Sequence, residues 1–309
     1  MPKISVLMPV YNEKPEYLRN AIESVLNQTC EDFELVIVDD ASELYVGDII
    51  NSYSDARIKY TRFSENSKIC AALNFAKSNS CGEYIAIMHS DDIAIRSRLE
   101  KESEILDEKT NVGLVNSYSV LQNKYHSKLN MPYLDSEIEK LYLRYIGNNI
   151  VHPNVMLRRS ILDENNITYN SKFVFAEDYR MWTDMMPYCD FYTVPEVLTL
   201  YNIDVNPKRQ NKEYMDKCKK VILLENYMRD FGLDEELYKG YIEKIWEKNK
   251  IKYINYLNIK KDIISCLEYK LQKVLTNYNY YSLINKAYRT VECFSSFAKE
   301  NDDILQSIL

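Results

Sequence analysis

Two apolar runs that each stop on a pair of adjacent aspartates constrain this 309-residue chain more than any other feature. Phe33-Glu34-Leu35-Val36-Ile37-Val38 ends on Asp39-Asp40, and Tyr84-Ile85-Ala86-Ile87-Met88-His89-Ser90 ends on Asp91-Asp92. Near-continuous apolar runs of this length read as buried strands. Open α/β sheets bind ligands in the crevice beyond the carboxyl ends of their strands, which is where these acids stand. Adjacent carboxylates repel unless solvated, protonated or bridged by a cation, and hard oxygen ligands of this kind suit Mg²⁺ or Mn²⁺. The plainer alternative is an aspartate that caps the next helix, since Ser97-Arg98-Leu99-Glu100 begins a helical pattern soon afterwards.

The segments around the two runs complete a repeating pattern. Lys3 to Pro9 reads as a first strand, and Leu18, Ala21, Ile22, Val25 and Leu26 then recur at helical spacing, with Pro15 near the first turn where its missing N–H costs least. Strand, helix and strand make a β-α-β unit, whose crossover is right-handed and whose strands are parallel. Ile58-Lys59-Tyr60 gives a short third strand, Ile69 to Ala76 a helix, and Tyr84 to Met88 the fourth strand. The second and fourth strands therefore deliver their acidic pairs to one sheet edge.

The organisation changes near residue 205. After Pro207 the chain is rich in lysine, tyrosine and asparagine, with helical periodicity in Val221-Ile222-Leu223-Leu224, Leu237-Tyr241-Ile245 and Ile263-Ile264-Leu267-Leu271. We expect an α/β domain over 1–206, with halves at 1–117 and 118–206, followed by a helical C-terminal appendage at 207–309. Tyr253, Tyr256, Tyr269, Tyr278, Tyr280 and Tyr281 read as core and homodimer packing by these helices. An acceptor platform, or peripheral contact with a membrane surface through interfacial tyrosines, is the alternative.

Composition narrows the functional classes. A net charge of −7 argues against a nucleic-acid partner. No stretch approaches the roughly 20 apolar residues of a transmembrane span, and no secretory leader is visible. The seven cysteines, at 30, 70, 81, 189, 218, 266 and 293, form no C-x-x-C pair, which points to reduced thiols in a cytoplasm.

An ordered set of motifs gives a sharper expectation. Val6-Leu7-Met8-Pro9-Val10-Tyr11-Asn12-Glu13, Val36-Ile37-Val38-Asp39-Asp40-Ala41-Ser42, Asn66 to Asn74, and Gly82-Glu83-Tyr84-Ile85 leading to Ser90-Asp91-Asp92 resemble the family-2 glycosyltransferases of GT-A fold. Arg98-Leu99-Glu100-Lys101, His152-Pro153-Asn154-Val155-Met156-Leu157-Arg158 and Ala176-Glu177-Asp178-Tyr179-Arg180-Met181-Trp182 continue the resemblance in order. It implies an α/β, Rossmann-like, mixed and mostly parallel sheet flanked by helices. It also implies inverting transfer of a sugar from a nucleotide-diphosphate donor, a uridine one by first expectation, to a glycan or glycoconjugate acceptor, with Mn²⁺ or Mg²⁺ as cofactor. Carried onto matching positions, Pro9, Tyr11 and Glu13 with Asp39 and Asp40 hold the base and ribose. Asp91 lies by ribose and diphosphate, Asp92 is the main metal ligand with Asp91 beside it, and Asp178 of the Glu177-Asp178 pair is the base. The resemblance makes 1–117 the nucleotide-binding half and 118–206 the acceptor half of a catalytic domain, with His152 and Trp182 on the acceptor side; for His152 the alternative is a structural histidine satisfied by a backbone partner.

Three positions depart from the family pattern. His89 stands where many relatives have an acid; the plain expectation is a histidine that hydrogen-bonds nearby, and ligation of Mn²⁺ is the alternative. Lys68 stands where relatives often have glycine, so either the loop avoids positive φ or the ammonium reaches the diphosphate. Relatives tend to follow the last strand with Tyr-Arg and a histidine, whereas this chain reads Tyr201-Asn202-Ile203-Asp204, leaving Lys208 or Arg209 to supply a cation. The His89 and Asn202 departures keep a second reading open, a catalytically impaired sugar-nucleotide-binding protein of the same fold. A phosphoacceptor receiver domain also places paired aspartates at strand ends, but a second acidic strand end and the length of this chain argue against it.

Overall fold

The computed structural model describes residues 1–203 and 212–231, apart from residues 44, 124–125, 136–139, 141–142 and 146. The chain divides into two compact units, one of residues 1–135 with 149–211, the other of residues 136–148 with 212–309. Pro207, Lys208, Arg209 and the periodic segments and tyrosines beyond residue 231 lie outside the described residues.

The first unit is built on one mixed sheet. Strands β1 (Ile4–Val10), β2 (Phe33–Asp39), β3 (Ile58–Arg62) and β4 (Tyr84–Ile87) run parallel in the order β3-β2-β1-β4. Helix α1 (Pro15–Leu26) connects β1 to β2, α2 (Val46–Asn51) precedes β3, and α3 (Lys68–Ser78) precedes β4. The apolar runs form strands because both sheet faces are covered: every residue of β2 and β4 is buried. Helix α1 buries Leu18, Ala21, Ile22 and Val25, the stripe that helical spacing marks out in the sequence.

Beyond β4 the pairing changes direction. β5 (Ile93–Ala94) and α4 (Arg98–Glu108) lead to β6 (Val112–Gln122) and β7 (Ser127–Asn130). A 3₁₀ turn at His152–Asn154 then opens β8 (Val155–Arg158), which is followed by α5 (Arg159–Glu164), α6 (Glu177–Met185) and β9 (Asp190–Asn202). The order continues β4-β8-β6-β9-β5, with β8 antiparallel to both neighbours, β9 parallel to β6, and β7 on the side of β6. Gly82 enters β4 where nothing larger fits, because a Cβ there would lie 2.5 Å from the Ser5 amide nitrogen. The amide of Gly82 donates to Ser5 Oγ at 2.8 Å.

In the second unit, α7 (Lys212–Phe231) is the described part of the helical region. It buries Cys218, Val221, Ile222 and Leu223, and its Asp230 accepts hydrogen bonds from Arg144 and from the Tyr145 hydroxyl. Among the described residues no helix is long and apolar enough to cross a membrane.

Candidate active site

Parallel order brings the acidic strand ends together at one edge, as the alternation of strands and helices in the sequence implies. Register pairs Val10 of β1 with Asp39 of β2, and the Asp40 amide donates to Val10 carbonyl. On the other side of β1, Met88 donates to the Leu7 carbonyl, so the chain leaves β4 into His89–Asp92 beside the β1 end. Pro9 sits past the last residue of β1 that pairs with β4, where the lack of an N–H on that side is harmless.

At the tip of β2 the carboxylates are fully engaged with the protein. Asp39 Oδ1 accepts from the Ser42 amide at 2.8 Å, and Oδ2 accepts from the Tyr60 hydroxyl at 3.1 Å and lies 3.5 Å from Arg62 Nε. Asp40 takes the Ser67 and Lys68 amides at 2.6 and 2.9 Å, one on each oxygen. The backbone around them is bent tightly: Asn12, Ala41 and Lys68 have φ of 51°, 59° and 72°. Lys68 therefore does not relieve the loop of positive φ; it occupies a glycine-like conformation itself, held there by Asp40. Glu13 is buried, accepts from the Lys14 amide at 2.9 Å and from Ser90 Oγ at 3.3 Å, and so ties the β1 turn to the β4 turn. Tyr11 is exposed.

The β4 tip is arranged differently. His89, Asp91 and Asp92 offer ligand atoms that all lie within 4.8 Å of one another. Asp92 is 0% exposed; its Oδ1 accepts from the Asn202 amide at 2.7 Å, while Oδ2 has no hydrogen-bond partner. Burial, and then the charge of Asp91, push the Asp92 carboxyl well above the ordinary carboxylate range. A cation among these donors would relieve both causes, so the residues fit a hard divalent ion.

Below this tip Arg98 anchors the strand ends. Almost wholly buried, it places Nε 3.2 and 3.1 Å from the two carboxylate oxygens of Glu102 and donates through Nη2 to the carbonyls of Ile87 and Val155 at 3.1 and 3.2 Å. The last carbonyl of β4 and the first of β8 thus share one guanidinium.

The Glu177-Asp178 pair opens α6. Glu177 is buried and leaves Oε2 without a hydrogen bond; burial and then Asp178 push its carboxyl up to about 7. Asp178 is only half-buried and its Oδ1 accepts from the Tyr179 amide at 2.6 Å. The Tyr201 phenol is pushed up by burial and then by Asp92, Asp91 and Asp178; that of Tyr169 is pushed up by burial and then by Asp178 and Glu177.

His152 lies between the two groups. Its Nδ1 is 3.4 Å from His89 Nε2 and its Nε2 is 2.9 Å from the Tyr169 hydroxyl, while Trp182, fully buried, meets the His152 ring edge-on at 5.8 Å between centroids. Burial, and then His89, push His152 well below the ordinary imidazole range. Tyr169 is a side chain that sequence reasoning did not single out; a lone tyrosine before Asn170 carries no spacing that marks it.

A family model described as Glycosyl transferase family 2 matches residues 5–165. An uncharacterized glycosyltransferase of Methanocaldococcus jannaschii is 31% identical over 283 residues, 89% of this chain and 90% of that protein. One from Haemophilus influenzae is 25% identical over 100% of this chain and 97% of its own. Among solved structures, S. aureus TarS 1–349 in complex with UDP aligns with a TM-score of 0.60 at 16% identity, covering 97% of this chain and 91% of that one. The mannosyltransferase PcManGT from Pyrobaculum calidifontis, in complex with GDP-Man and Mn²⁺, aligns with a TM-score of 0.56 at 16% identity, over 96% of this chain and 84% of its own.

Proposed function

The chain belongs to glycosyl transferase family 2 and has the GT-A fold, and from that premise we propose that it is an inverting, metal-dependent enzyme that moves a sugar from a nucleotide-diphosphate donor to a glycan or glycoconjugate acceptor. The observation that carries this reading is the side-chain contact that joins two acidic groups from distant parts of the sequence: His89, beside Asp92, meets His152 at 3.4 Å, and the His152 ring meets Trp182 of α6, the helix that Glu177-Asp178 opens. Transfer to a hydroxyl needs one group to take the departing diphosphate and another to take the hydroxyl's proton.

Asp91 and Asp92, with His89 beside them, would hold the divalent ion. When bound, that ion supplies neutralisation of the charge that gathers on the leaving diphosphate. Asp178 would accept the acceptor's proton: it is the more exposed of the Glu177-Asp178 pair, and the positive end of the helix favours the ionised form that a base requires. Buried Glu177 would keep the helix start in place. The uridine donor is favoured by the likeness to a protein solved with UDP, while the likeness to PcManGT, solved with GDP-Man and Mn²⁺, supports a divalent ion and keeps a guanosine donor as the rival to exclude. Five cysteines of the described residues are free thiols, in keeping with a cytoplasmic place of action.

The test is donor turnover, measured as nucleotide diphosphate released from UDP- and GDP-sugars with candidate acceptors, with and without chelator. We expect turnover with one donor class, lost on chelation and restored by Mn²⁺. Asp178→Asn should leave donor affinity nearly intact and lower transfer on the order of 10²–10⁴-fold, the usual contribution of a general base. Full turnover in chelated enzyme would end the metal assignment, and near-wild-type transfer by Asp178→Asn would remove that residue from its role. Donor binding without turnover under every condition would favour the binding-only protein.

A further inference from the structure

We propose that the rings of Tyr118 and Tyr133 form a platform on which one pyranose ring of the acceptor glycan lies by its C–H face. This rests on the glycosyl-transfer reading above and gives the acceptor a place to bind.

Three large apolar side chains stand outward between residues 129 and 133. Leu129, Met131 and Tyr133 are 45%, 46% and 50% exposed, whereas Pro132 and Leu134 are buried. Such alternation is what an extended chain lying on the surface gives, with every second side chain on the outer face. Exposed apolar residues are ordinary singly; grouped, they mark a binding surface. Nor is the segment loosely held. The Leu134 amide donates to Thr193 Oγ1 at 2.9 Å, and that hydroxyl donates to Asn116 Oδ1 at 2.8 Å. The Tyr133 ring in turn meets the half-buried Tyr118 ring at 5.6 Å between centroids and 73° between planes, edge to face.

Strand register sets this platform at the rim of the candidate site. β9 runs along one edge of β6 through both 114–116 and 119–122. β8, which pairs with the first stretch, and β7, which pairs with the second, therefore share the other edge. β8 begins with Val155 opposite Asn116 and β7 ends with Asn130 opposite Ser119, a separation of three residues on β6, or about 10 Å. Two chain segments meet in that gap. His152–Asn154 enters it, with Asn154 Nδ2 donating to the Ser117 carbonyl at 2.6 Å, and residues 131–133 lead away from it. Tyr118 lies on the stretch of β6 that the gap leaves without a strand on that edge. Through His152, whose Nδ1 is 3.4 Å from Nε2 of His89, the gap borders the β4 tip.

A sugar ring suits such a surface better than the other candidates do. One face of a pyranose presents C–H groups, and its rim presents hydroxyls. The negative face of an aromatic ring attracts those C–H groups, contact removes apolar area from water on both sides, and a phenol at the ring's edge can exchange hydrogen bonds with the rim. Two rings at 73° make a corner, which orients the sugar as well as placing it. A protein partner is a poor match, because three side chains fall far short of the roughly 800 Å² that each side of a stable interface buries. So is the donor's base: β2, at whose tip the family resemblance sets it, is separated from β6 by β1, β4 and β8.

The test uses full-length protein, deuterated except for its tyrosine rings, with UDP and GDP tried in turn in the presence of Mg²⁺. Methyl glycosides of glucose, galactose, mannose and N-acetylglucosamine, each at millimolar concentration, are the acceptor probes. Saturation-transfer NMR reads which sugar protons a tyrosine touches. We expect one face of a probe ring to receive saturation in the wild type. Tyr133→Ala should weaken that probe on the order of tenfold while nucleotide affinity stays within about twofold, and Tyr133→Phe should keep most of the binding. A wild type that binds nucleotide but shows no tyrosine contact to any probe overturns the proposal and leaves the donor reading standing; that measurement needs no variant, so it decides even if Tyr133→Ala does not fold. Unchanged probe binding in Tyr133→Ala also overturns it, as does parallel loss of probe and nucleotide. A wild type that binds neither nucleotide nor probe overturns the glycosyl-transfer reading and this proposal together.

Discussion

At the tip of β2 all four carboxylate oxygens of Asp39 and Asp40 hold parts of the protein, three of them backbone amides. At the tip of β4 and the start of α6, Asp92 and Glu177 are just as buried, yet each keeps one oxygen without a hydrogen bond. Both regions show paired acids after an apolar stretch or at a helix start. The first pair spends its lone pairs on shaping its own loops, whereas Asp92 and Glu177 each leave an acceptor oxygen over. A double acid at a strand end is therefore one signal with two uses, separated by what the surrounding amides do.

The isosteric change to asparagine should split the two uses most widely. Asp40→Asn turns one acceptor into an amino group facing the Ser67 or Lys68 amide, and we expect a loss of about 1.5–3 kcal/mol, the range for hydrogen bonds to a charged group. Asp92→Asn, in metal-free protein, can keep its bond from the Asn202 amide while removing a buried charge, so stability should hold or rise. Urea unfolding of both variants checks this. Equal losses would show that the distinction between the two tips is illusory.

A pH series sharpens the same contrast at α6. Glu177 binds its proton with a value of about 7 when folded against 4.5 for the ordinary group. Between those values the native state holds a proton that the unfolded state has released, so this group's contribution to stability falls as pH rises from 4.5 to about 7 and then levels. Glu177→Gln lacks that titration. Its melting temperature relative to wild type should climb across the window, and a gap that stays flat with pH would mean that Glu177 is already ionised below it.

The smallest effect belongs to Lys68. At φ 72° a lysine sits in the left-handed region, where a non-glycine residue loses roughly 1–2 kcal/mol and glycine loses none, against the greater entropy glycine gives up on folding. Lys68→Gly should stabilise by less than about 1 kcal/mol. If the ammonium also serves the diphosphate, UDP affinity should drop in the same variant. Loss of stability instead would show that the loop is held by more than Asp40.

These contrasts mark how far the sequence could be read. The β-α-β pattern, the strand ends and the shared edge of Asp39-Asp40 and Asp91-Asp92 were legible because apolar runs and helical spacing are local signals. The insertion of β8 between β4 and β6 was not, since antiparallel pairing across some seventy residues leaves no local trace. Nor was the buried role of Arg98, which at the start of a charged helix looks like a solvated residue and instead gathers carbonyls from two strands. The link from His89 through His152 to Tyr169 joins three distant segments by side chains alone. For the candidate site, the sequence marked the acids but was silent on which of their oxygens are taken.

The bond from the Asn202 amide to Asp92 bears on how such a site tolerates change over generations. A grip made by the main chain is inherited with the strand, whatever side chain the codon at that position specifies; only proline, which lacks the N–H, abolishes it. Position 202 is thereby released from guarding the carboxylate. Its side chain can drift, or be recruited to suit a different donor, without disturbing the Oδ1 end of Asp92, which is how one constellation of acids can stay put while the residues beside it are rewritten.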